Sequence, residues 1–197
     1  MVSLVDSQRI IVAGLPGVGK TTVVSKAVER LQKMGHDAIL VTLGSFMYEE
    51  AEKLGVSDRD SIRKLPVGMQ RELQLKAAKR ISELSNEFVF VDTHLLIKTP
   101  QGFFPGLPLD VLQTLRPTQL VMIEAPISDI FNRRLRDGTR RRDNESEEEV
   151  AEELLLSKQF LVVAAANTGA TMTMVNNREN LSDEAVRDLL KSLRVPL

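Results

Sequence analysis

The 197-residue chain contains no cysteine and no tryptophan, and only one tyrosine and two histidines. Without cysteine there are no disulfides and no thiolate zinc sites, which fits a reducing compartment, the cytoplasm by default. One tyrosine and no tryptophan count against a nucleic-acid binder of the kind that stacks bases. An excess of charge of either sign is missing too: 26 Lys and Arg face 27 Asp and Glu, for a net charge of −1. That balance directs the chain neither to nucleic acid nor to an anionic membrane. No apolar run approaches the ~18 residues that span a bilayer, and Met1 to Gln8 lack the charged and apolar regions of a signal peptide. With 43% hydrophobic residues, the chain reads as one large domain over 1–197.

What is present is a complete phosphate-binding loop, Gly14-Leu15-Pro16-Gly17-Val18-Gly19-Lys20-Thr21, of the form G-x-x-x-x-G-K-[ST]. Arg9 to Ala13 precede it as a short apolar strand. Val23, Ala27, Leu31 and Met34 follow at helical spacing before Gly35. A strand turning through glycines into a helix N-terminus aims backbone N–H groups and the positive dipole end at one point, which suits a polyphosphate. Lys20 is expected on the β/γ-phosphates and Thr21 on Mg²⁺.

Strands and helices alternate along the rest of the chain. Apolar runs predict strands at Ala38–Leu43, Phe88–Asp92, Leu120–Ile123 and Ala170–Val175. A helix-rich stretch covers Phe46 to Leu84, with Met69, Leu73, Ala77, Ile81 and Leu84 as its stripe. Ser146 and Glu149 form a capping box ahead of another helix, and a last helix covers Ser182–Leu193. The predicted fold is α/β: a five-stranded parallel sheet with helices on both faces, binding its ligand at the carboxyl ends of the strands.

Asp92 ends a fully apolar strand, so its carboxylate belongs in that crevice, holding Mg²⁺ through water beside Thr21. A helix-capping role is the plainer alternative. Glu124 ends the next strand before Ala125-Pro126 and is given no catalytic role. Residues 133–143 hold six arginines in eleven positions, interrupted by Gly138. A nucleic-acid patch and a solvated charge run are rival readings. Arginines closing over phosphates explain both the clustering and the break, and such groups are worth about 10³–10⁵ in rate.

The chain resembles the archaeal-type adenylate kinases, nucleoside monophosphate kinases within the P-loop NTPases. The resemblance rests on the loop through Thr22, on Gly44-Ser45-Phe46-Met47, on Asp58 to Leu65, on Phe90 to His94, on Thr99 to Pro108 and on Arg136-Asp137 with Arg140 and Arg142. It implies Mg²⁺-dependent transfer between ATP and AMP, giving two ADP. Gly14, Leu15, Pro16, Gly17, Val18, Gly19, Lys20, Thr21 and Thr22 would bind ATP, and Arg63, Thr93, His94 and Lys98 would bind AMP. Lys20, Arg136, Arg140 and Arg142 would be catalytic, with Arg133 and Arg136 at the hinge of a short lid over 135–146. Residues 44–84 would form the monophosphate-binding segment. Departures from the family are Ser45, where relatives often carry Asp, and Lys98, where many have Arg and so a bidentate fork. A surface ion pair with Asp60 is the rival role for Arg63.

Kinases of other monophosphates or small metabolites, and a regulatory or RNA-assembly ATPase, are the competing functions. A mere switch has no use for Arg63 or for the arginine lid. No membrane partner is expected, and nucleic acid is not expected as the main one. His36 reads as a surface residue, and Phe103 and Phe104 as either adenine neighbours or core. In the helix after Ser146, Leu154, Leu161 and Ala165 form one apolar stripe, and Leu156, Phe160 and Val163 fall on a second face. Burial within the domain and a homo-oligomer both explain that second face; the resemblance favours a trimer.

Overall fold

The computed structural model describes residues 7–99, 102–136 and 146–195, without the side chains of Asp60 and Arg63. In chain order the elements are β1 (Gln8–Ala13), α1 (Lys20–Lys33), β2 (Ala38–Thr42), α2 (Leu43–Glu52), a 3₁₀ turn (Asp60–Lys64), α3 (Val67–Ser82), β3 (Phe88–Asp92), β4 (Leu96–Thr99) and β5 (Gly102–Pro105). Then come α4 (Leu109–Leu115), β6 (Gln119–Glu124), α5 (Ile127–Arg136), α6 (Glu147–Thr168), β7 (Thr171–Asn176) and α7 (Ser182–Ser192).

Five strands form one parallel sheet in the order β2-β3-β1-β6-β7. Ile10 to Ala13 are consecutive, so they point to alternate faces, yet all are fully buried. Both faces of the sheet are therefore covered, which is why its central strands read as unbroken apolar runs. The helices doing this pack α1 with α7, α3 with α4, and α4 with α6. From β1 the chain winds toward β2, and from β6 toward β7. A crevice opens at the carboxyl end of β1, where the winding reverses.

The helix-rich stretch after β2 is two helices, with Gly55 at φ 85° and Pro66 between them. Ala51, Ile62 and Leu73 form a small apolar cluster there, apart from the main core. Leu73, Ala77 and Ile81 are buried as the stripe requires, but Met69 at its start is exposed, as is Met34 past the end of α1. The antiparallel hairpin of β4 and β5 was not foreseen; its four-residue strands contain Gly102 and Pro105 and show no alternation. His36 is half-buried rather than on the surface. Its Nδ1 lies 3.0 Å from both carboxylate oxygens of Glu87, and its ring meets Phe88 edge-on. The capping box holds in one direction: Ser146 Oγ accepts from the Glu149 N–H at 3.3 Å, while the Glu149 carboxylate turns to Lys98. On α6, Leu154, Leu161 and Ala164 face the core, and the residues left exposed are Leu155, Val162 and Val163. Leu156 and Phe160 are only half-exposed, because a helix period of 3.6 drifts off a simple i, i+4, i+7 face.

Candidate functional site

The phosphate loop runs from the end of β1 to the first turn of α1. Gly19 has φ 79°, and a Cβ there would lie 2.5 Å from Asn177 Nδ2, so only glycine fits. The loop's outward carbonyls are held by groups far away in sequence. Asn177 Nδ2 donates to Val18 O at 2.7 Å and Arg134 Nε to Pro16 O at 2.8 Å. Arg133 Nη1 donates to Gly17 O and Val18 O at 3.3 and 3.2 Å. Helix α1 itself begins with no side-chain cap and no acidic residue in its first turn. Its free N–H groups and positive dipole end are thus left for an anion from outside the chain.

Lys20 is buried, with its ammonium ion-paired to Asp92 and donating to Thr93 O at 3.2 Å. Burial pulls its pKa down to about 8. Asp92 sits where the sequence places it, at the end of β3 and level with Val12 of β1. Thr21 is exposed in the first turn of α1. No group of three or more His, Cys, Asp or Glu side chains able to hold a metal occurs among the described residues. A hydroxyl and a carboxylate suit Mg²⁺, which keeps several waters and takes further oxygens from substrate phosphates instead of a protein cage.

Beside this point lies a cavity of about 290 Å³, walled by Gly44, Met47, Arg59, Gln74, Asp92, Thr93 and His94 among others. The predicted residues Asp92, Thr93 and His94 thus line it together. Thr42 caps α2 by accepting from the Ser45 N–H at 3.2 Å, so Ser45 lies in the first turn of that helix. Among the described residues Arg59 is the cation that lines the cavity, close enough to Gly44 that a Cβ there would stand 2.5 Å from its Nη2. The sequence reading passed over Arg59 in favour of Arg63, four positions on. Its signal was Asp58, which accepts from the Ser61 N–H at 2.8 Å and starts the turn that carries Arg59. Gln74 was missed as well, since a polar residue inside a helix carries no positional signal.

Other expected groups lie elsewhere. Lys98, on the exposed hairpin, is 3.8 Å from Glu149 and does not line the cavity. Arg136 is exposed and paired with Glu179 at 3.2 Å. Arg133 reaches the phosphate loop. Phe103 and Phe104 line neither part of the site. Arg140 and Arg142, with the Arg63 side chain, lie outside the described residues. Glu124, given no catalytic role, pairs with Lys158 at 2.5 Å.

A loop-to-helix turn left open for an anion, a buried lysine and a facing aspartate on a parallel sheet define a nucleoside-triphosphate-binding protein of the P-loop class. Residues 13–151 match a family described as AAA domain. The adenylate kinases of Methanocaldococcus jannaschii and Methanopyrus kandleri are 43% and 41% identical to this chain, each over 94% of it and 97% of their own length. That of Pyrococcus furiosus is 43% identical over 93% of this chain and 94% of its own. The chain belongs to the adenylate kinase family and is a nucleoside monophosphate kinase. Shikimate kinase structures share the fold at low identity. That from Bacteroides thetaiotaomicron has TM-score 0.61 at 18% identity, covering 95% of this chain and 99% of that one. One from Acinetobacter baumannii has TM-score 0.62 at 17%, covering 98% and 96%.

Proposed function

We propose that the chain transfers the γ-phosphoryl group of ATP to AMP, reversibly, giving two ADP. The observation that carries this is the meeting of two sites at one strand end. Lys20 of the phosphate loop bonds to Asp92 and Thr93, and those residues also wall the 290 Å³ cavity, where Arg59 supplies a cation. Two nucleotides bound this way bring their terminal phosphates together. An AMP phosphate oxygen attacks the γ-phosphorus in line, and the bond to the β-phosphate oxygen breaks. ADP leaves, and no enzyme group is modified. AMP presents an ionised oxygen, so no general base is required. Lys20 neutralises charge on the β/γ-phosphates; Thr93 and His94 line the gap. Mg²⁺, held by Thr21 and through water by Asp92, would add charge neutralisation at the transferring group.

In this reading residues 44–84 form the monophosphate-binding segment of a single domain, with Arg63 as a second phosphate contact and Lys98 at its margin. Residues 135–146 form the lid, bringing Arg140 and Arg142 onto the phosphates with Arg133 and Arg136 at its base, and closure excludes water. The protein works in the cytoplasm as a homo-oligomer, a trimer by its resemblance. Supporting this are the exposed Leu155, Val162 and Val163, and a groove of about 530 Å³ beside Phe160 and Val163. The deciding experiment is a coupled assay with MgATP and AMP, UMP, CMP, dTMP or no acceptor. Stoichiometric ADP formation that depends on AMP is the expected result. ATP hydrolysis independent of every monophosphate would overturn the reading in favour of an ATPase.

A further inference from the structure

We infer that Arg134 is a positioning residue for phosphoryl transfer: held by Glu153, it aims the Gly17 N–H of the phosphate loop at the nucleotide. This rests on the proposed reading of that loop as the seat of the ATP phosphates. Among the described residues two charged side chains are buried, Lys20 at 8% and Arg134 at 7% exposed. Lys20 belongs to the phosphate loop, and Arg134 grips the same loop from α5. Its Nε donates to Pro16 O at 2.8 Å, and its Nη2 lies 3.3 Å from Glu153 Oε2 on α6. Its stem runs beneath the turn, since a Cβ on Gly17 would stand 3.1 Å from Arg134 Cγ. Between Gly14–Pro16 and the side chains of Glu153 and Ser157 on α6 is a space of about 10 Å³, room for one water at most. Helix α6 therefore backs the loop closely.

In a trans peptide the carbonyl and the N–H point opposite ways. A Pro16 carbonyl turned outward to Arg134 thus turns the Gly17 N–H inward, to the concave side that receives the phosphates. Gly17, at φ 95°, does not choose that orientation by itself, because glycine takes positive and negative φ with similar ease. Left alone, the peptide can rotate and withdraw its donor; the hydrogen bond from Arg134 holds it. A donor fixed in advance needs no reorganisation when charge builds on the transferring group. Stability alone does not account for this buried guanidinium, since an apolar pair of similar volume serves a protein interior as well or better. What an apolar residue or a lysine cannot supply is a planar fork spanning a carbonyl and a carboxylate. Glu153 neutralises the charge at one end of that fork and leaves Nε on Pro16.

The test compares wild type with Arg134→Met, the double variant R134M/E153M and Arg134→Lys, by AMP-dependent ADP formation and by urea unfolding. R134M leaves the Glu153 carboxylate, 13% exposed, without this partner, so the urea midpoint should fall. In R134M/E153M two apolar side chains replace the pair, and the midpoint should return toward wild type. Activity should not return with it. Both variants are expected to lose about 10²-fold in kcat, the scale of a misplaced contact at the reacting group, while KM for AMP stays within about threefold of wild type. R134K keeps a cation for Glu153 without the fork, and should lose about tenfold in kcat with its midpoint near wild type. A folded R134M/E153M with wild-type kcat would make the pair structural only and overturn the inference. Should neither methionine variant fold, R134K decides, and an unchanged kcat there overturns it equally. Absence of AMP-dependent transfer by wild type overturns the kinase reading instead. ATP affinity in the same variants then decides the role of Arg134: a loss of about tenfold supports it, and affinity equal to wild type overturns it.

Discussion

Lys20 pairs with Asp92 and donates to the Thr93 carbonyl; in the proposed reaction its charge would turn to the phosphates. Lys20→Ala should remain folded, because the Asp92 side chain keeps 12% of its surface in water, while kcat falls by about 10³-fold or more. Circular dichroism with the coupled assay checks both, and near-normal turnover would remove Lys20 from the mechanism. Its pKa gives a second expectation. In the free enzyme the ammonium titrates at about 8, so kcat/KM for ATP should decline as pH rises through that value. Bound phosphates favour the charged form and raise the pKa, so kcat should stay level to higher pH. Superimposed alkaline limbs for the two parameters would separate that proton from nucleotide binding. The arginines are compared the same way. Arg59→Ala should raise KM for AMP by about 10–100-fold, the scale of a charged hydrogen bond, with little change for ATP. Arg63→Ala measured in parallel ranks the two, and an equal rise for both nucleotides in R59A would assign Arg59 to the fold.

At the scale of elements, Thr42 caps α2 and Ser146 caps α6, each from its own side chain, whereas α1 and α3 both start without such a cap, so what sets α1 apart is the glycine loop that leads into it. Ser146→Ala should therefore cost about 1 kcal/mol and leave KM for ATP near wild type, measured by urea unfolding and steady-state kinetics. A loss confined to activity would mean that Ser146 acts in the lid and not as a cap. Helix α5 serves the loop differently. Its buried Arg134 holds Pro16 O and lies 3.3 Å from Glu153 on α6, so the loop's outer shape depends on two helices following β6. The strand pattern was legible because an apolar run buried on both faces is a local property. The β4–β5 hairpin was not, because four-residue strands carry too few residues for a period to appear. Cavity residues Arg59 and Gln74 escaped notice because their role comes from what α3 and the 3₁₀ turn pack against.

For the whole molecule, the prediction concerns the exposed apolar face of α6. Val163 is 57% exposed and touches the apolar groove, so Val163→Glu should leave the monomer's stability intact. If the homo-oligomer forms through this face, light scattering after gel filtration should give a multiple of the 22.0 kDa chain for wild type and a smaller mass for the variant. A wild-type mass of one chain at micromolar concentration would rule the assembly out.

The phosphate loop, the Asp92 strand end and the sheet's central strands were determined by the sequence alone. Each depends on neighbours in the chain: glycines that permit positive φ, a helix beginning beside them, an apolar run ending in an acid. Tertiary structure alone decided what surrounds them. Asn177 grips the Val18 carbonyl from 159 residues away, Gln74 meets Gly106, and Arg133 and Arg134 of α5 hold carbonyls of the loop. These contacts follow from strand order and helix packing, which juxtapose residues that no local pattern relates.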